Sequence, residues 1–338
     1  MRTVIRLAAA IAAAFVAAPA GAQPADSFYA GKTVKLIVGT GPGGGYDIYG
    51  RLLARHIGRH IPGHPTVVVV NMPGASSLTA ANYLANVAPR DGSEMLLIVQ
   101  TLPIVQVAGS DKVRFDLARF NWVGNMSDAS NIFLSWHTSP VKTMKDAQEQ
   151  ELIMGSTTPS SLGGLYPAVA NQVLGTKFKI INGYASGDAI DIALERGEVQ
   201  GRAGNSWPAL KAYRGYWIRD RLINVMVQVG LRKEADLQAV PLLTEFARDD
   251  QERQVLQFYS SLVASGRALA TGPDVPADRV AALRRAFDAA LADPALLAEA
   301  EKQGLELSPL AGDKVQDVVT TMVRTRPELL QIDRKLLD

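Results

Sequence analysis

Cysteine is absent from all 338 residues, which excludes disulfides, thiolate metal ligation, a cysteine nucleophile and a cysteine-borne lipid anchor. Histidine is scarce. Three of the four, His56, His60 and His64, are spaced by four residues, and the first two share a helical face. No glutamate neighbours them in the zinc-protease pattern, while Arg55 and Arg59 make that face basic, so it reads as a helix end facing the negative terminus of the dipole and not as a metal centre. The fourth, His137, stands beside a predicted domain crossing and reads as structural. No Gly-x-Ser-x-Gly elbow occurs, so a serine hydrolase of that kind lacks its nucleophile.

Charge of one sign is lacking too. The chain carries 35 Lys and Arg against 33 Asp and Glu, and two of the basic residues, Arg2 and Arg6, precede an apolar run from Leu7 to Ala18 and the small residues Ala20-Gly21-Ala22. That order is a secretory signal peptide over residues 1–22, cleaved after Ala22, too short and alanine-rich for a membrane span. Its removal leaves 33 charges of each sign. A balanced chain without a basic patch interleaved with aromatics excludes a nucleic-acid surface. The mature protein is expected to be soluble, periplasmic and monomeric.

What is present centres on Thr33–Arg51. Val34, Leu36, Ile37 and Val38 suit a buried strand, while Ile48, Leu52, Leu53 and Ile57 recur at helical spacing, so Gly39-Thr-Gly41-Pro42-Gly43-Gly44-Gly45 is a strand-to-helix turn. Such a turn lets a ligand approach the backbone, with helix amides and the positive end of a dipole behind it. The alternative is a plain tight turn that needs glycine for positive φ. The dinucleotide fingerprint Gly-x-Gly-x-x-Gly is met literally, but Asn71 stands where the ribose-binding acid belongs and proline interrupts it. A phosphate-binding Walker loop fails because Tyr46-Asp47 follows the glycines where Lys-Ser/Thr belongs. No cofactor is implied.

The same logic repeats. Thr66–Val70 runs into Asn71-Met72-Pro73-Gly74-Ala75-Ser76-Ser77 and a helix, then Glu94–Val99 follows as a third strand, an order that predicts a parallel sheet. Short strands at Trp122–Gly124 and Ile132–Trp136 mark the crossing into a second domain. There Leu152–Met154 leads into Gly155-Ser156-Thr157, Phe178–Ile181 into Asn182–Asp188, and Gly201–Gly204 into Asn205-Ser206-Trp207-Pro208, where Asn205 or Ser206 caps a helix. Ile223–Val229 is a further strand. From Arg267 onward the chain reads as mostly helical and returns to the first domain. The expected domains are 27–125 with 265–338, and 126–264. Strand ends rich in amides and hydroxyls on both sides of a cleft, with few acid–base groups, favour binding an anion such as a carboxylate over catalysis. No enzyme is expected.

The Val38–Asp47 turn, Asn71-Met-Pro-Gly-Ala75, Ala88-Pro-Arg-Asp-Gly92, Gly155-Ser-Thr-Thr-Pro-Ser-Ser161, the Tyr184–Asp188 loop followed by Glu195-Arg-Gly-Glu-Val199, and Gly272-Pro-Asp-Val-Pro276 resemble the periplasmic solute-binding receptors of tripartite tricarboxylate transporters, the Bug or TctC-like proteins. The correspondence spans the mature chain in order. The resemblance implies an α/β, two-domain Venus-flytrap fold of type II, each domain a central sheet flanked by helices. It also implies a receptor that captures a small organic acid and delivers it to a tripartite tricarboxylate-type membrane transporter. A receptor signalling to a sensor partner is the alternative; an enzyme acting on a small acid is the weaker one. One carboxylate is expected between Gly41, Pro42, Gly43 and Gly44 of the first loop and Tyr184, Ser186, Gly187 and Asp188 of the second, partly through water. Ser76, Ser77, Thr157, Asn205 and Ser206 would tune which acid fits. These two loops contain no Lys or Arg. Arg202 is the cation placed at a strand end, to meet a second carboxylate or a surface acid, and Asp47 serves either the pocket or the helix dipole. The family's usual Phe-Pro-Pro-Gly-Gly is Thr40-Gly41-Pro42-Gly43-Gly44 here, its Tyr-Lys-Gly-Gly is Tyr184-Ala185-Ser186-Gly187, and its Gly-Ala-Gly-Gly is Gly74-Ala75-Ser76-Ser77.

Overall fold

A computed structural model of the chain describes residues 25–325, apart from Gly44, Ala75, Ser76 and Ala129. The signal peptide, Gly44, Ser76 and the tail from residue 326 therefore lie outside the described residues. After a short helix α1 (Ala25–Phe28), the chain runs β1 (Thr33–Val38), α2 (Gly45–Ile57), β2 (Thr66–Asn71), α3 (Leu78–Asn86), β3 (Glu94–Leu97), α4 (Leu102–Val107) and β4 (Asn121–Asn125). It then passes to β5 (Asn131–Trp136), α5 (Met144–Glu149), β6 (Leu152–Gly155), α6 (Leu162–Leu174), β7 (Phe178–Ile181), α7 (Gly187–Glu195), β8 (Gly201–Ser206), α8 (Trp207–Arg219), β9 (Ile223–Val229) and α9 (Asp250–Ser261). The return comprises β10 (Ala268–Thr271), α10 (Ala277–Leu291), α11 (Pro294–Lys302), β11 (Leu310–Ala311) and α12 (Gly312–Val323).

Two sheets result, ordered β11-β4-β10-β3-β1-β2 and β7-β6-β8-β5-β9. In the first, β1 pairs in parallel with β2 and β3, as the alternating strand–helix order requires. Its β1 side chains are buried from Leu36 onward, whereas the edge strand β2 alternates exposed and half-buried residues because only one of its faces is well covered. In the second, β6 pairs in parallel with β7 and β8, and β5 is antiparallel to β8 and β9. The architecture is two α/β domains, each a mixed sheet with helices on its faces.

The structure departs from the sequence reading at β10. A stretch read as the head of a helical tail is a fully buried strand in the middle of the first sheet, antiparallel to both β3 and β4. Ala268-Leu-Ala-Thr271 is too short to carry a periodicity that announces a strand; its partners more than 140 positions away do. The domains also share apolar packing on one side. Ile104 and Val107 of α4 and Met322 of α12 lie in the second sheet's core with Phe258 and Leu262, while Val315 and Val319, earlier on α12, lie in the first sheet's core.

The basic end of α2 is less solvated than expected. His56 is buried with Nε2 2.6 Å from Glu299, and His60 Nε2 lies 3.0 Å from Asp293, so α11 and its N-cap residue supply the facing acids.

Candidate functional site: a cleft between the two sheets

The end of α2 that follows the glycine turn, the N-termini of α7 and α8, and the strand entry at Arg267 converge on one cleft of about 470 Å³. Tyr46 and Tyr49, at i and i+3 on the first turn of α2, form one wall. Gln100 N–H donates to Tyr46 Oη at 3.0 Å, and Tyr49 Oη donates to the Glu306 carbonyl at 2.9 Å, which fixes both rings. The Arg267 guanidinium lies over both, 4.8 and 4.9 Å from the ring centroids, and beside Gly45. A planar cation over two anchored π faces is held here without an acid among the described residues.

The facing wall is an ion-pair network. Arg202 of β8 is nine-tenths buried; its Nη1 donates to an Asp191 carboxylate oxygen and, at 3.0 Å, to the Gly187 carbonyl. Arg214, where α8 leaves helical geometry next to Gly215, places Nε 3.4 Å from the other Asp191 oxygen and Nη2 3.2 Å from Asp188. Burial pushes the Asp191 carboxyl above the ordinary carboxylate range, with Arg202 and then Arg214 opposing it. Burial likewise pulls the Arg202 guanidinium down, against the pull of Asp191.

No family model matches the chain. A Cupriavidus necator protein described as "UPF0065 protein in gbd 5'region" is 29% identical over 249 residues, 71% of each chain. A solved TctC solute binding protein from Polaromonas, without ligand, superposes with a TM-score of 0.70 at 19% identity, over 89% of this chain and 99% of that one. MatC from Rhodopseudomonas palustris, solved with bound malate, gives 0.61 at 17% identity, over 89% and 99%. The chain has the fold of these two solved proteins.

Within that fold, five of the expected site residues line the cleft: Gly187, Asp188, Arg202, Asn205 and Ser206. The others described do not. Gly41, Pro42 and Gly43 lie outside its lining, and Gly45 is the glycine-loop residue that reaches it. Ser186 accepts a hydrogen bond from Ala189 N–H at 3.2 Å as the N-cap of α7, and the Tyr184 ring packs toward Gly155. Thr157 accepts from Gly183 N–H through its carbonyl, while Ser77 is fully buried with φ +75° against Gly39. Asp47 accepts from Gly43 N–H, Arg51 Nε and Asn71 Nδ2 at 2.8–2.9 Å, so its carboxylate organises the glycine turn from beneath.

The cleft is also richer in cations than the sequence reading expects, because Arg214 and Arg267 join Arg202 there. Tyr46, Tyr49, Gln100, Asp191, Arg214, Arg267 and Glu306 were not foreseen in it. The two tyrosines carried a signal, standing three apart directly after the glycine turn. Arg267 carried none.

Asp47 yields a pH-dependent expectation. Its carboxyl is lowered from 3.8 to about 2, foremost by the Arg51 hydrogen bond, with burial opposing and the Gly43 N–H and Asn71 amide adding to it. A depressed folded-state value contributes stability above pH 3.8 that is lost as the pH falls toward 2. Asp47→Asn is expected to cost about 1–3 kcal/mol at neutral pH. In urea unfolding, the gap to wild type should close over that acid window; a constant gap would mean the charge is not what stabilises the turn.

Proposed function

We propose that the chain is a periplasmic receptor that captures a small organic acid between its two domains and delivers it to a tripartite tricarboxylate-type membrane transporter. The observation that carries this reading is Arg267, a cation without an acid partner among the described residues, lining a cleft between two sheets of TctC type. The malate held by MatC in the same fold supports a carboxylate ligand. Among the described residues no histidine or lysine lines the cleft, which favours binding over catalysis.

Residues 27–125 with 265–338, and 126–264, are the two units proposed to close on the ligand, bringing the Gly41–Gly45 and Tyr184–Asp188 loops toward it. Ser76, Ser77, Thr157, Asn205 and Ser206 remain the proposed tuning residues. Mass spectrometry of protein purified natively should find a small carboxylic acid released on unfolding. That acid, at a hundred times its dissociation constant, should stabilise the fold by about 2.7 kcal/mol. A thermal-shift screen of organic acids in which none raised the melting temperature would overturn the reading. N-terminal sequencing of exported protein should begin at Gln23; a start at Met1 would remove the periplasmic assignment.

A further inference from the structure

Among the described residues, the charged residues lining the cleft are three arginines, Arg202, Arg214 and Arg267, and three acids, Asp188, Asp191 and Glu306. Four of the six are spoken for, because Arg202 and Arg214 both hold Asp191 and Arg214 also reaches Asp188. What remains is one cation and one acid. Arg267 spends Nη1 on the Gly266 carbonyl at 2.8 Å, and among the described residues its buried Nε meets no hydrogen-bond partner and its charge faces the two tyrosine rings with no acid paired to it.

Glu306 stands on the same wall, tied to Arg267 by Tyr49, whose ring lies under the guanidinium and whose hydroxyl reaches the Glu306 carbonyl. Its side chain has no ion pair among the described residues. Burial raises its carboxyl; Lys211 opposes, and Glu234 and Asp236 add to the rise. Lys211 is itself bound to Asp236 at 3.1 Å, which leaves this end of the cleft acidic.

A ligand carboxylate on Arg267 is met by charge and by a planar donor set. A second carboxylate at the other end would meet Glu306 instead, and like charges in a partly desolvated cleft discriminate strongly against the wrong partner. We propose that the receptor selects monocarboxylates bearing a hydroxyl or ammonium group over dicarboxylates, with Arg267 binding the carboxylate and Glu306 accepting from the distal donor. This rests on the receptor reading above and departs from the dicarboxylate held by MatC.

Calorimetry on the full mature protein tests it, with 3-hydroxybutyrate, 4-aminobutyrate and 5-aminovalerate against malate, glutarate and adipate as probes. The first group should bind wild type at least about tenfold more tightly than the second, a discrimination within reach of one misplaced charge. Glu306→Gln should raise affinity for the dicarboxylates and shrink that ratio, with Glu306→Ala doing the same if the amide packs badly. Arg267→Gln should weaken every acid by more than about tenfold, and Arg267→Lys should recover part of the loss. Preference of wild type for the dicarboxylates, or a ratio unmoved by both Glu306 variants, would overturn the proposal. Acids that bind normally to Arg267→Gln would overturn it while leaving the receptor reading intact, whereas failure of all six probes with wild type would overturn both.

Discussion

Asp191→Ala is expected to destabilise the protein by about 3–5 kcal/mol, because it leaves Arg202 nine-tenths buried without its carboxylate. Without Asp191, Arg202 keeps only the Gly187 carbonyl on Nη1 among the described residues, and its Nε already has no partner there. Arg214 would lose its Nε contact as well but keeps Asp188, whose carboxylate is solvent-exposed. Arg202→Ala should cost less, because Asp191, whose burial already works against its charge, keeps the Arg214 Nε at 3.4 Å. The pair nevertheless adds little net stability, since desolvation opposes both charged forms. Asp191→Leu combined with Arg202→Met is therefore expected to lie closer to wild type than either single truncation. Equilibrium unfolding of wild type and the three variants decides it, and additive losses would show that the two charges do not act as a unit. On this view the pair fixes where α7 and β8 present their ends to the cleft, and Arg202 is not free to take a second carboxylate.

The parts of this molecule legible in the sequence are those specified locally. β1 and β2 are rich in β-branched residues and β3 is a buried, mostly apolar run, and their order fixes a parallel core. The helices α6, α7 and α8 were visible for the same reason. β10 was not, because Ala268-Leu-Ala-Thr271 becomes a strand only when β3 and β4 accept it between them. The cleft follows the same division. Gly187, Asp188, Asn205 and Ser206 sit at strand exits, where fold logic places ligands. Arg267 depends on two tyrosines more than 200 positions earlier, and Asp191 is recognisable as a cleft residue only once β8 delivers Arg202 against α7. Asp47 was read as either a pocket group or a dipole partner; its three donors to one carboxylate place it under the glycine turn, outside the cleft lining.

Gly39→Ala is expected to cost about 3 kcal/mol, the upper part of the range for an added methyl in a packed site, although the glycine lies at the exposed-looking head of a loop. A Cβ there would stand 1.6 Å from Ser77 Oγ, 2.6 Å from Ser77 Cβ and 3.2 Å from its Cα, so rotating the hydroxyl away does not relieve the clash. Ser77 cannot retreat easily, because it is fully buried and holds φ +75° at the start of α3. The turns after β1 and β2 therefore touch at this point, and wedging them apart should also weaken ligand binding. Ser77→Gly is the matching relief: it removes the Cβ, suits a positive φ, and deletes a buried hydroxyl that has no hydrogen-bond partner among the described residues. The double variant should regain more than half of the lost stability. Gly41→Ala supplies the contrast, since a Cβ at Gly41 meets nothing within 4 Å and stability should stay within about 0.5 kcal/mol of wild type. Weakened acid binding by Gly41→Ala at unchanged stability would mean that the ligand approaches this backbone in the closed state. If affinity were untouched there while Gly39→Ala lost both, the glycine turn would serve to join two loops, and the carboxylate would rest on Arg267 alone.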